Sequence, residues 1–436
     1  MTSEFPQRSD AFVWIWLPDG TEPVVAGRIT QDKGRYVFNY GASYLGRKDA
    51  IPIYEPELPL GRGMIEPTAG LSMAGSIRDG SPDAWGRRVI INRLIGTKAT
   101  EAADLSELTF LLQSGSDRIG ALDFQTSATE YVPRLKANAP YEELLEAAAR
   151  VEQGVPLTRA LDFALNHGTS IGGARPKALI DDGEHKLIAK FSAGTDLYSV
   201  VKAEFIAMKL ASACGLDVAP VSLIQAGGKD VLLINRFDRV KAANGWHRRA
   251  MVSALTILGL DEMMARYASY ADLAEIIRHR FTDPKDTLRE LFGRICFNIL
   301  CGNTDDHARN HAAFWDGKML SLTPAYDICP QGRTGFEATQ AMLIAGDNRR
   351  STLVSCLAAA PTFLLDESQA TQIMLQQIAA IADGWDRFCD EAKLTETDKS
   401  LFAGRQFLNA YCIQDLGNQS ASLREAIEAA RAKIST

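Results

Sequence analysis

Side chains that can bind a metal or accept a proton are concentrated in GNTDDHARN (302–310), directly after the apolar run LFGRICFNIL. A further acid, Asp327 in LTPAYDI, lies seventeen residues after Asn310. Phosphoryl transfer needs one group that orients the attacking hydroxyl, together with oxygen ligands that hold magnesium. The spacing D-x-H-x-x-N followed by Asp fits this plan. We therefore predict that Asp305 orients the hydroxyl and that Asn310 and Asp327 bind Mg²⁺.

The segment TSIGGARPK (169–177) is a candidate cradle for nucleotide phosphates. The paired glycines Gly172 and Gly173 let backbone N–H groups approach phosphate oxygens, and Arg175 and Lys177 add positive charge. A Gly-Gly turn between two elements is the commoner meaning of such a segment. The motif therefore carries little weight by itself.

Lys190, in HKLIAKF (185–191), is the candidate phosphate-binding cation. A lysine late in an apolar strand is usually an edge residue whose ammonium group reaches water. Here, however, Glu204 follows on the next predicted helix. A strand lysine paired with a glutamate of the following helix is how kinases fix their phosphate-binding lysine.

The sequence supports zinc binding, serine hydrolysis and P-loop nucleotide hydrolysis less well than phosphoryl transfer. His307 and His311 are four residues apart, but neither an HExxH glutamate nor a nearby third ligand accompanies them, which disfavours zinc. The chain contains no GxSxG elbow and no Walker GxxxxGK[ST] motif, which disfavours a serine hydrolase and a P-loop NTPase. For 302–310 the competing interpretation is a polar loop whose acids only cap neighbouring elements.

Composition places the chain among ordinary globular proteins. Its 436 residues, 46% hydrophobic and 23% charged, predict two or three domains. The net charge of −7 argues against wrapping nucleic acid alone, although contact with DNA through a basic partner stays open. Seven cysteines without a CxxC pair predict buried free thiols. With no signal-peptide pattern and no membrane-length apolar run, we expect a cytoplasmic protein.

The first part of the chain reads as strands followed by helices. Aromatic and β-branched residues predict three strands, at 11–17, 22–29 and 35–40. Ser81 and Pro82 predict the start of a helix at 82–95, and a second helix is expected at 104–114. The segment 125–140 is poor in apolar pattern and predicts a domain boundary.

The second part begins with a predicted helix at 141–152. Further along we expect strands at 184–191, 218–225 and 230–237 and helices at 199–214 and 287–301. A hairpin is expected to turn at Asp316-Gly317. From about residue 335 to the end the pattern predicts helix.

The ordered motifs resemble those of the HipA family of bacterial toxin kinases, over almost the full length. SIGGARPKALI (170–180) resembles the family's glycine-rich loop and LIAKF its lysine strand. INRFDR (234–239) resembles its adenine-binding hinge, while GNTDDHARN and LTPAYDI resemble its catalytic and magnesium segments. DGSPDAWGRRVI (79–90) and GSDRIGA (115–121) resemble its small N-terminal domain.

The resemblance implies roles for individual residues. Asp305 would be catalytic, Glu204 would support Lys190, and Ser170 would be an autophosphorylation site. Magnesium would be held by Asn310 and Asp327. ATP would be contacted by Gly172, Gly173, Ala174, Arg175, Lys177, Lys190, Asn235, Phe237, His307, Asn310 and Tyr326.

Two positions depart from the family pattern. The hinge position that is often acidic in the family is Asn235 here, which affects nucleotide affinity more than activity. Pro176 lies in the phosphate loop where a relative can carry a more polar residue. Its ring stiffens the loop and would limit the loop movement on which autoregulation depends.

Together these features predict an α+β fold of the bilobal protein-kinase-like type. Expected parts are an N-terminal subdomain at 1–125, an ATP-binding part at 141–240 and a helical C-terminal lobe at 241–436. The expected function is an ATP- and Mg²⁺-dependent serine/threonine protein kinase, the toxin of a toxin–antitoxin pair.

The resemblance further implies a DNA-binding antitoxin of the HipB type, operator DNA contact mainly through it, and a protein substrate such as glutamyl-tRNA synthetase. No membrane association is expected. A small-molecule kinase of the same fold and a catalytically silent nucleotide-binding corepressor are the alternatives.

Overall fold

The computed structural model describes residues 8–95, 105–134, 139–155, 157–158, 161, 175–194, 196–332 and 335–435. The chain divides into two compact units. The first comprises Met1–Thr195, Ile224–Val252 and Phe314–Lys318, and the second comprises Asp196–Leu223, Ser253–Ala313 and Met319–Thr436. Elements are numbered below in chain order within the described residues.

The first sheet of the first unit contains the three predicted N-terminal strands. Its strands are β1 (Asp10–Ile15), β2 (Val24–Asp32), β3 (Arg35–Tyr40) and β4 (Leu122–Gln125), in the order β3-β2-β1-β4. Neighbouring strands are antiparallel. Alternate residues such as Val13, Ile29 and Phe38 face one buried core, as the period of two along a strand requires.

Short helices follow the sheet: α1 (Ala42–Leu45), α2 (Gly75–Arg78), α3 (Ala84–Ile95) and α4 (Glu107–Gln113). The predicted start of α3 was wrong by two residues, because the helix begins at Ala84 and not at Pro82. The hydroxyl of Ser81 instead donates to Glu107 (3.2 Å), which also binds Arg87. A tertiary ion pair thus engages the side chain that the sequence had suggested as a helix cap.

A second four-stranded sheet, most of it in the first unit, carries the lysine strand. Its members are β5 (Lys177–Asp181), β6 (Lys186–Phe191), β7 (Val221–Ala226) and β8 (Lys229–Asn235), in the order β5-β6-β8-β7. Strand β5 was not predicted, since its sequence was assigned to the glycine-rich segment. The predicted helix α5 (Tyr141–Glu152) contributes to one core with this sheet through side chains such as Leu144 and Val151.

A β-ribbon of β9 (Arg239–Ala242) and β10 (Gly245–Arg248) follows, and β11 spans Met251–Ser253. Further on, β12 (Ala312–Trp315) and β13 (Leu320–Leu322) flank the predicted turn at Asp316-Gly317. Gly317 has φ +99°, and a Cβ there would lie 2.7 Å from the Ile51 side chain, so a glycine is needed in this turn.

The second unit is mainly helical. Its helices are α6 (Val200–Ala213), α7 (Ala254–Ile257), α8 (Tyr270–Arg280), α9 (Pro284–Cys301), α10 (Leu353–Ala359), α11 (Glu367–Glu391), α12 (Glu396–Phe402) and α13 (Ala421–Ile434). Short 3₁₀ turns occupy Glu262–Tyr267, Ala360–Phe363, Ala410–Ile413 and Asn418–Ser420. The predicted α6 and α9 are confirmed.

The prediction of helix from about residue 335 onward was wrong for 335–352. In this stretch isolated bridges join Thr339 to Arg350 and Ala345 to Asn348. The backbone of Leu343 exchanges hydrogen bonds with residues 268 and 270, at 2.9 and 3.0 Å. Because these tertiary bonds satisfy the backbone, the segment does not need the internal bonds of a helix.

The α+β class is confirmed by two four-stranded sheets, the two-stranded ribbon and a mainly helical second unit. All seven cysteines are free thiols, and all but Cys214 are buried, as predicted. Within the described residues, no helix combines the length and the apolar character that crossing a bilayer would demand.

Candidate active site

Helix α9 delivers the chain to the polar segment 302–310. Pro284 occupies its first turn, and its last three turns are buried throughout. The helix ends at Gly302, which adopts φ +73° and whose missing Cβ would lie 2.7 Å from the carbonyl oxygen of Gln406. Only glycine fits a left-handed position against another backbone. The following loop therefore leaves the helix in one fixed direction.

Backbone hydrogen bonds fold 303–310 into a compact loop. The amide N–H of His307 donates to the Asp305 carbonyl (2.9 Å), and that of Asn310 donates to the His307 carbonyl (2.8 Å). The side-chain Nδ2 of Asn310 also donates to the Asp305 carbonyl, at 3.1 Å. This bond uses the amide nitrogen within the loop, and the amide oxygen is the atom suited to a cation.

Asp305 and Asp306 are neighbours in sequence but have opposite environments. Asp305 is exposed, whereas Asp306 is buried. The carboxylate of Asp306 accepts a hydrogen bond from the Tyr270 hydroxyl and lies 3.0 Å from Nε2 of His311. Asp306 therefore anchors the loop in the interior, and Asp305 alone is left at the surface.

The charges around Asp305 shift its protonation equilibrium. Partial desolvation, aided by the nearby carboxylates of Asp327 and Asp306, raises the pKa of Asp305, while His307 opposes the shift. For Asp306, burial alone would raise the pKa, but His311 and Tyr270 stabilise the anion and bring it below its ordinary value. A carboxyl group with a raised pKa is a better proton acceptor, so of the two acids Asp305 is the one suited to that work.

Asp327 is close enough to Asp305 to influence its pKa. The residue adopts φ +59°, a left-handed conformation that is uncommon for residues other than glycine. The preceding chain is held on both sides, because Ala325 exchanges backbone hydrogen bonds with residues 217 and 219. A backbone held in this way can keep a residue in an uncommon backbone conformation at a functional site.

Lys190 lies on β6, which has β5 on one side and β8 on the other. It is buried and is therefore not the edge lysine that such a sequence usually indicates. Directly opposite it in the β5–β6 register is Lys177, also buried, so the two side chains share one side of the sheet. Neither lysine lacks a partner. Like charges directly opposite one another in an antiparallel pair repel unless counter-charges lie nearby.

Asn235 and Phe237, the candidate adenine contacts, lie at the end of β8. Asn235 pairs with Leu187 across the sheet, and both candidates are half-buried. The ring of Phe237 packs edge-on against Phe314, at 5.9 Å between centroids. The backbone N–H of Arg236, between them, donates to the Lys186 carbonyl at 2.8 Å.

The structure groups the predicted site residues into two sets. Arg175, Lys177, Lys190, Asn235 and Phe237 belong to the first unit, whereas Glu204, Asp305, His307, Asn310, Tyr326 and Asp327 belong to the second. Glu204 is buried on α6. Its pairing with Lys190 stays a prediction. Ser170, Gly172, Gly173 and Ala174 lie outside the described residues.

Further hydrogen bonds hold the second set in place, and the sequence interpretation missed one residue that donates them, Arg294. Tyr326 donates its hydroxyl to the Arg309 carbonyl at 2.7 Å. Arg294, buried on α9, donates to the carbonyls of Asp217 (3.2 Å) and Thr323 (2.9 Å) and so ties α9 to the chain that precedes Asp327. An arginine within the apolar run LFGRICFNIL was the available signal. In the described ranges, no three His, Cys, Asp or Glu side chains cluster as a metal site.

Comparisons with known proteins match both the N-terminal and the C-terminal part of the chain. The HipA N-terminal domain matches residues 15–125, and the HipA-like C-terminal domain matches residues 169–385. Y4mE, a candidate kinase of Sinorhizobium fredii, is 26% identical over 327 residues, covering 70% of this chain and 74% of that protein. The serine/threonine-protein kinase toxin HipA of Shewanella oneidensis is 25% identical over 198 residues, covering 42% of this chain and 41% of that protein.

A solved structure extends the likeness to almost the whole chain. HipA of Shewanella oneidensis MR-1, in a complex with HipB and its operator DNA, superposes with a TM-score of 0.62. The superposition covers 97% of this chain and 96% of that chain at 18% sequence identity, which shows a common fold. Since both domains are matched in the same order along one chain, this protein belongs to the HipA family of kinases.

Proposed function

We propose that this chain is an ATP- and Mg²⁺-dependent serine/threonine protein kinase that acts as the toxin of a toxin–antitoxin pair. The main supporting observation is the loop 302–310, in which Asp306 is buried while Asp305 stays exposed, with Asn310 bonded to its carbonyl and Asp327 nearby. A polar loop whose acids only capped elements would not need an exposed acid with a raised pKa.

Five residues of the second unit have a place in the proposed reaction. Asp305 accepts or orients the proton of the substrate hydroxyl, a task that its raised pKa favours. The carboxylate of Asp327 and the amide oxygen of Asn310 form a donor set of hard oxygens that fits Mg²⁺. When bound there, the ion would neutralise charge on the phosphates. His307 and Tyr326 would contact the nucleotide.

The phosphates themselves would lie against the first unit's sheet. Lys190 and Lys177 supply two buried positive charges on one side of it. Arg175 and the glycine-rich loop that includes Gly172, Gly173 and Ala174 would add donors. Glu204 would fix Lys190 by an ion pair, and Asn235 and Phe237 would contact adenine.

The proposed division of labour follows three segments of the chain. Residues 1–125 form the N-terminal subdomain, residues 141–240 the ATP-binding part and residues 241–436 the helical lobe with the catalytic loop. The fold is shared with a HipA that was solved with HipB and operator DNA. We therefore propose a HipB-type antitoxin as partner, with operator DNA reached mainly through it, in keeping with the chain's own net charge of −7.

The test is to incubate the full chain with labelled ATP and Mg²⁺ in a cell lysate and identify the labelled proteins. Labelling of one or a few proteins on serine or threonine, absent with Asp305→Asn, is the expected result. An aminoacyl-tRNA synthetase, such as the glutamyl enzyme, is the expected target. A labelled metabolite without labelled protein would favour a small-molecule kinase, and ATP binding without any transfer would favour a silent corepressor.

Autophosphorylation at Ser170 is proposed as an off switch. A phosphate beside the glycine-rich loop adds about −1.5 to −2 charges, which would compete with ATP for the same donors. Ser170→Asp should therefore be inactive, and Ser170→Ala should keep or increase toxicity. Intact-mass analysis of protein expressed with ATP gives the direct test. An active kinase that never gains a phosphate at Ser170 would end this part of the proposal.

A further inference from the structure

Four charged side chains form a buried cluster beside the candidate adenine contacts. We call Asp117, Arg236, Asp238 and Arg239 the hinge clamp. Both guanidinium groups are almost fully enclosed, with 0% and 1% side-chain exposure, and Asp238 has 3%. All four belong to the first unit.

The clamp is closed by four ion pairs. Arg236 lies 3.0 Å from Asp117 and 2.8 Å from Asp238. Arg239 lies 2.8 Å from Asp117 and 2.9 Å from Asp238. Each arginine therefore bridges both carboxylates. The paired forks fix geometry more narrowly than single ammonium contacts would.

The same side chains also bind the backbone of the loop at 117–120. Arg236 donates to the Arg118 carbonyl at 2.7 Å, and Arg239 donates to the Gly120 carbonyl at 2.9 Å. In return the N–H of Gly120 donates to Asp238 at 2.8 Å. Residues 236–239 are thus held by a loop that lies more than a hundred positions earlier in the chain.

Electrostatics keep the clamp ionised. Burial alone would raise the pKa of Asp117 and of Asp238, but the charges of Arg236 and Arg239 outweigh it and lower both. Burial lowers the pKa of Arg239 to about 10, still far above neutrality. The cluster is therefore charged at physiological pH, and removal of one member leaves a buried charge without its counterpart.

The clamp residues alternate in sequence with the candidate adenine contacts. Arg236 separates Asn235 from Phe237, and Asp238 follows directly. Any shift of Arg236 or Asp238 must therefore move the backbone on which Asn235 and Phe237 are carried. Backbone groups that read an adenine edge need positions fixed to a fraction of an ångström.

We infer that the hinge clamp positions residues 235–237 for adenine, so that the loop at 117–120 sets the choice of nucleotide base. This inference rests on the proposed kinase function. The clamp residues are positioning residues, because they act through the backbone that they hold. Their loss should weaken recognition of the base and leave the grip on the phosphates unchanged.

The test compares the wild-type full chain with Asp117→Asn, which keeps the side-chain size and removes one charge. Calorimetry would measure affinities for ATP, GTP and inorganic tripolyphosphate. We expect the ATP-to-GTP affinity ratio to fall by roughly tenfold to a hundredfold, the size of effect that a small misplacement can have. The tripolyphosphate affinity should not change.

The matched control is Glu107→Gln, which breaks the Arg87–Glu107 pair of the same unit, about a third exposed on each side. It should lower the melting temperature and leave the ATP-to-GTP ratio as in wild type. Arg239→Lys keeps the positive charge but removes the planar guanidinium group that binds both carboxylates, so it should lose part of the selectivity for ATP. This second variant tests the inference if Asp117→Asn fails to fold.

The outcomes separate the two proposals. Selective ATP binding in wild type with an unchanged ratio in Asp117→Asn and Arg239→Lys would overturn the clamp and leave the kinase proposal intact. A wild-type chain that binds neither ATP nor GTP would overturn the kinase proposal and the clamp together.

Discussion

The loop at 302–310 and the hinge clamp are built from similar charged residues, with opposite results. In the loop, Asp327 and Asp306 lie close enough to Asp305 to add to the desolvation that raises its pKa. In the clamp, each acid faces two arginines, so the pKa values of Asp117 and Asp238 are lowered despite burial. The first arrangement favours proton acceptance by Asp305, and the second holds the backbone of residues 236–239 in place.

The loop and the clamp should therefore lose different properties on mutation. Removing the Asp305 carboxylate takes away the proposed proton acceptor and also relieves repulsion, so activity should fall without a loss of stability. Removing an acid from between two arginines leaves buried charge, so stability should fall first.

The largest expected effect is on turnover in Asp305→Asn. Positioned acid–base groups contribute about 10²–10⁴-fold, so labelled phosphate transfer to protein should fall by that factor. The melting temperature should be equal to that of wild type or slightly higher. Unchanged transfer would remove Asp305 from its proposed role.

The adjacent Asp306→Asn is the control for that variant. Its carboxylate is bonded to Tyr270 and His311 in the interior, and buried hydrogen bonds to a charged group contribute about 1.5–3 kcal/mol each. Asp306→Asn should therefore lower the melting temperature, which Asp305→Asn should not do. Equal thermal behaviour of the two variants would contradict the division of roles.

The clamp is probed by Asp238→Ala. Breaking a buried ion pair by removing one partner costs about 3–5 kcal/mol, because Arg236 and Arg239 lose a shared counter-charge. We expect a clear drop in the denaturant concentration at which half of the protein is unfolded. Unfolding would be monitored by intrinsic tryptophan fluorescence. A drop no larger than that of Glu107→Gln would show that the clamp contributes little to stability.

Asp327→Ala tests the metal role of the loop. Losing even an outer partner of a metal ligand costs roughly 10–100-fold in affinity, so losing a direct ligand should cost at least that. A calorimetric titration of ATP with and without Mg²⁺ should show that the variant has lost its magnesium dependence. Asp347→Ala, which removes an exposed acid from the same unit, should titrate like wild type.

The smallest effects concern acid stability. The pKa values of Asp117, Asp123 and Asp238 are lowered in the folded protein. Their contribution to the free energy of unfolding is therefore complete above the pKa of the unfolded chain, about 3.9, and is lost as pH falls through the pKa values of the folded protein. Asp305 makes a contribution of the opposite sign to the free energy of unfolding. Its raised pKa means that ionisation destabilises the folded protein, and this destabilisation disappears as pH falls.

Melting temperatures measured between pH 7 and pH 3 would show both contributions to stability. Asp123→Asn should show a shallower decline toward acid than wild type, and Asp305→Asn a slightly steeper one. Parallel curves for all three proteins would show that these carboxylates do not control acid stability.

Much of the fold could be predicted from local patterns. The strands near 11–17 and 35–40, helix α5 and helix α9 follow from residue periodicity and turn residues, and the structure has them within a few positions. The start of α3 and the stretch 335–352 could not be predicted this way. There, tertiary bonds from Glu107 and from residues 268–270 override the local preference.

Motif order and residue type are local properties, so the family and the fold class could be predicted from the residues alone. Asp305 and Asp306 have the same side chain, and that Asp306 turns inward while Asp305 stays exposed is a property of the tertiary structure. Only it brought Arg236 to the carbonyl of Asp117, across a separation of 119 positions. Burial and charge pairing depend on such distant neighbours, which no spacing along the chain reveals.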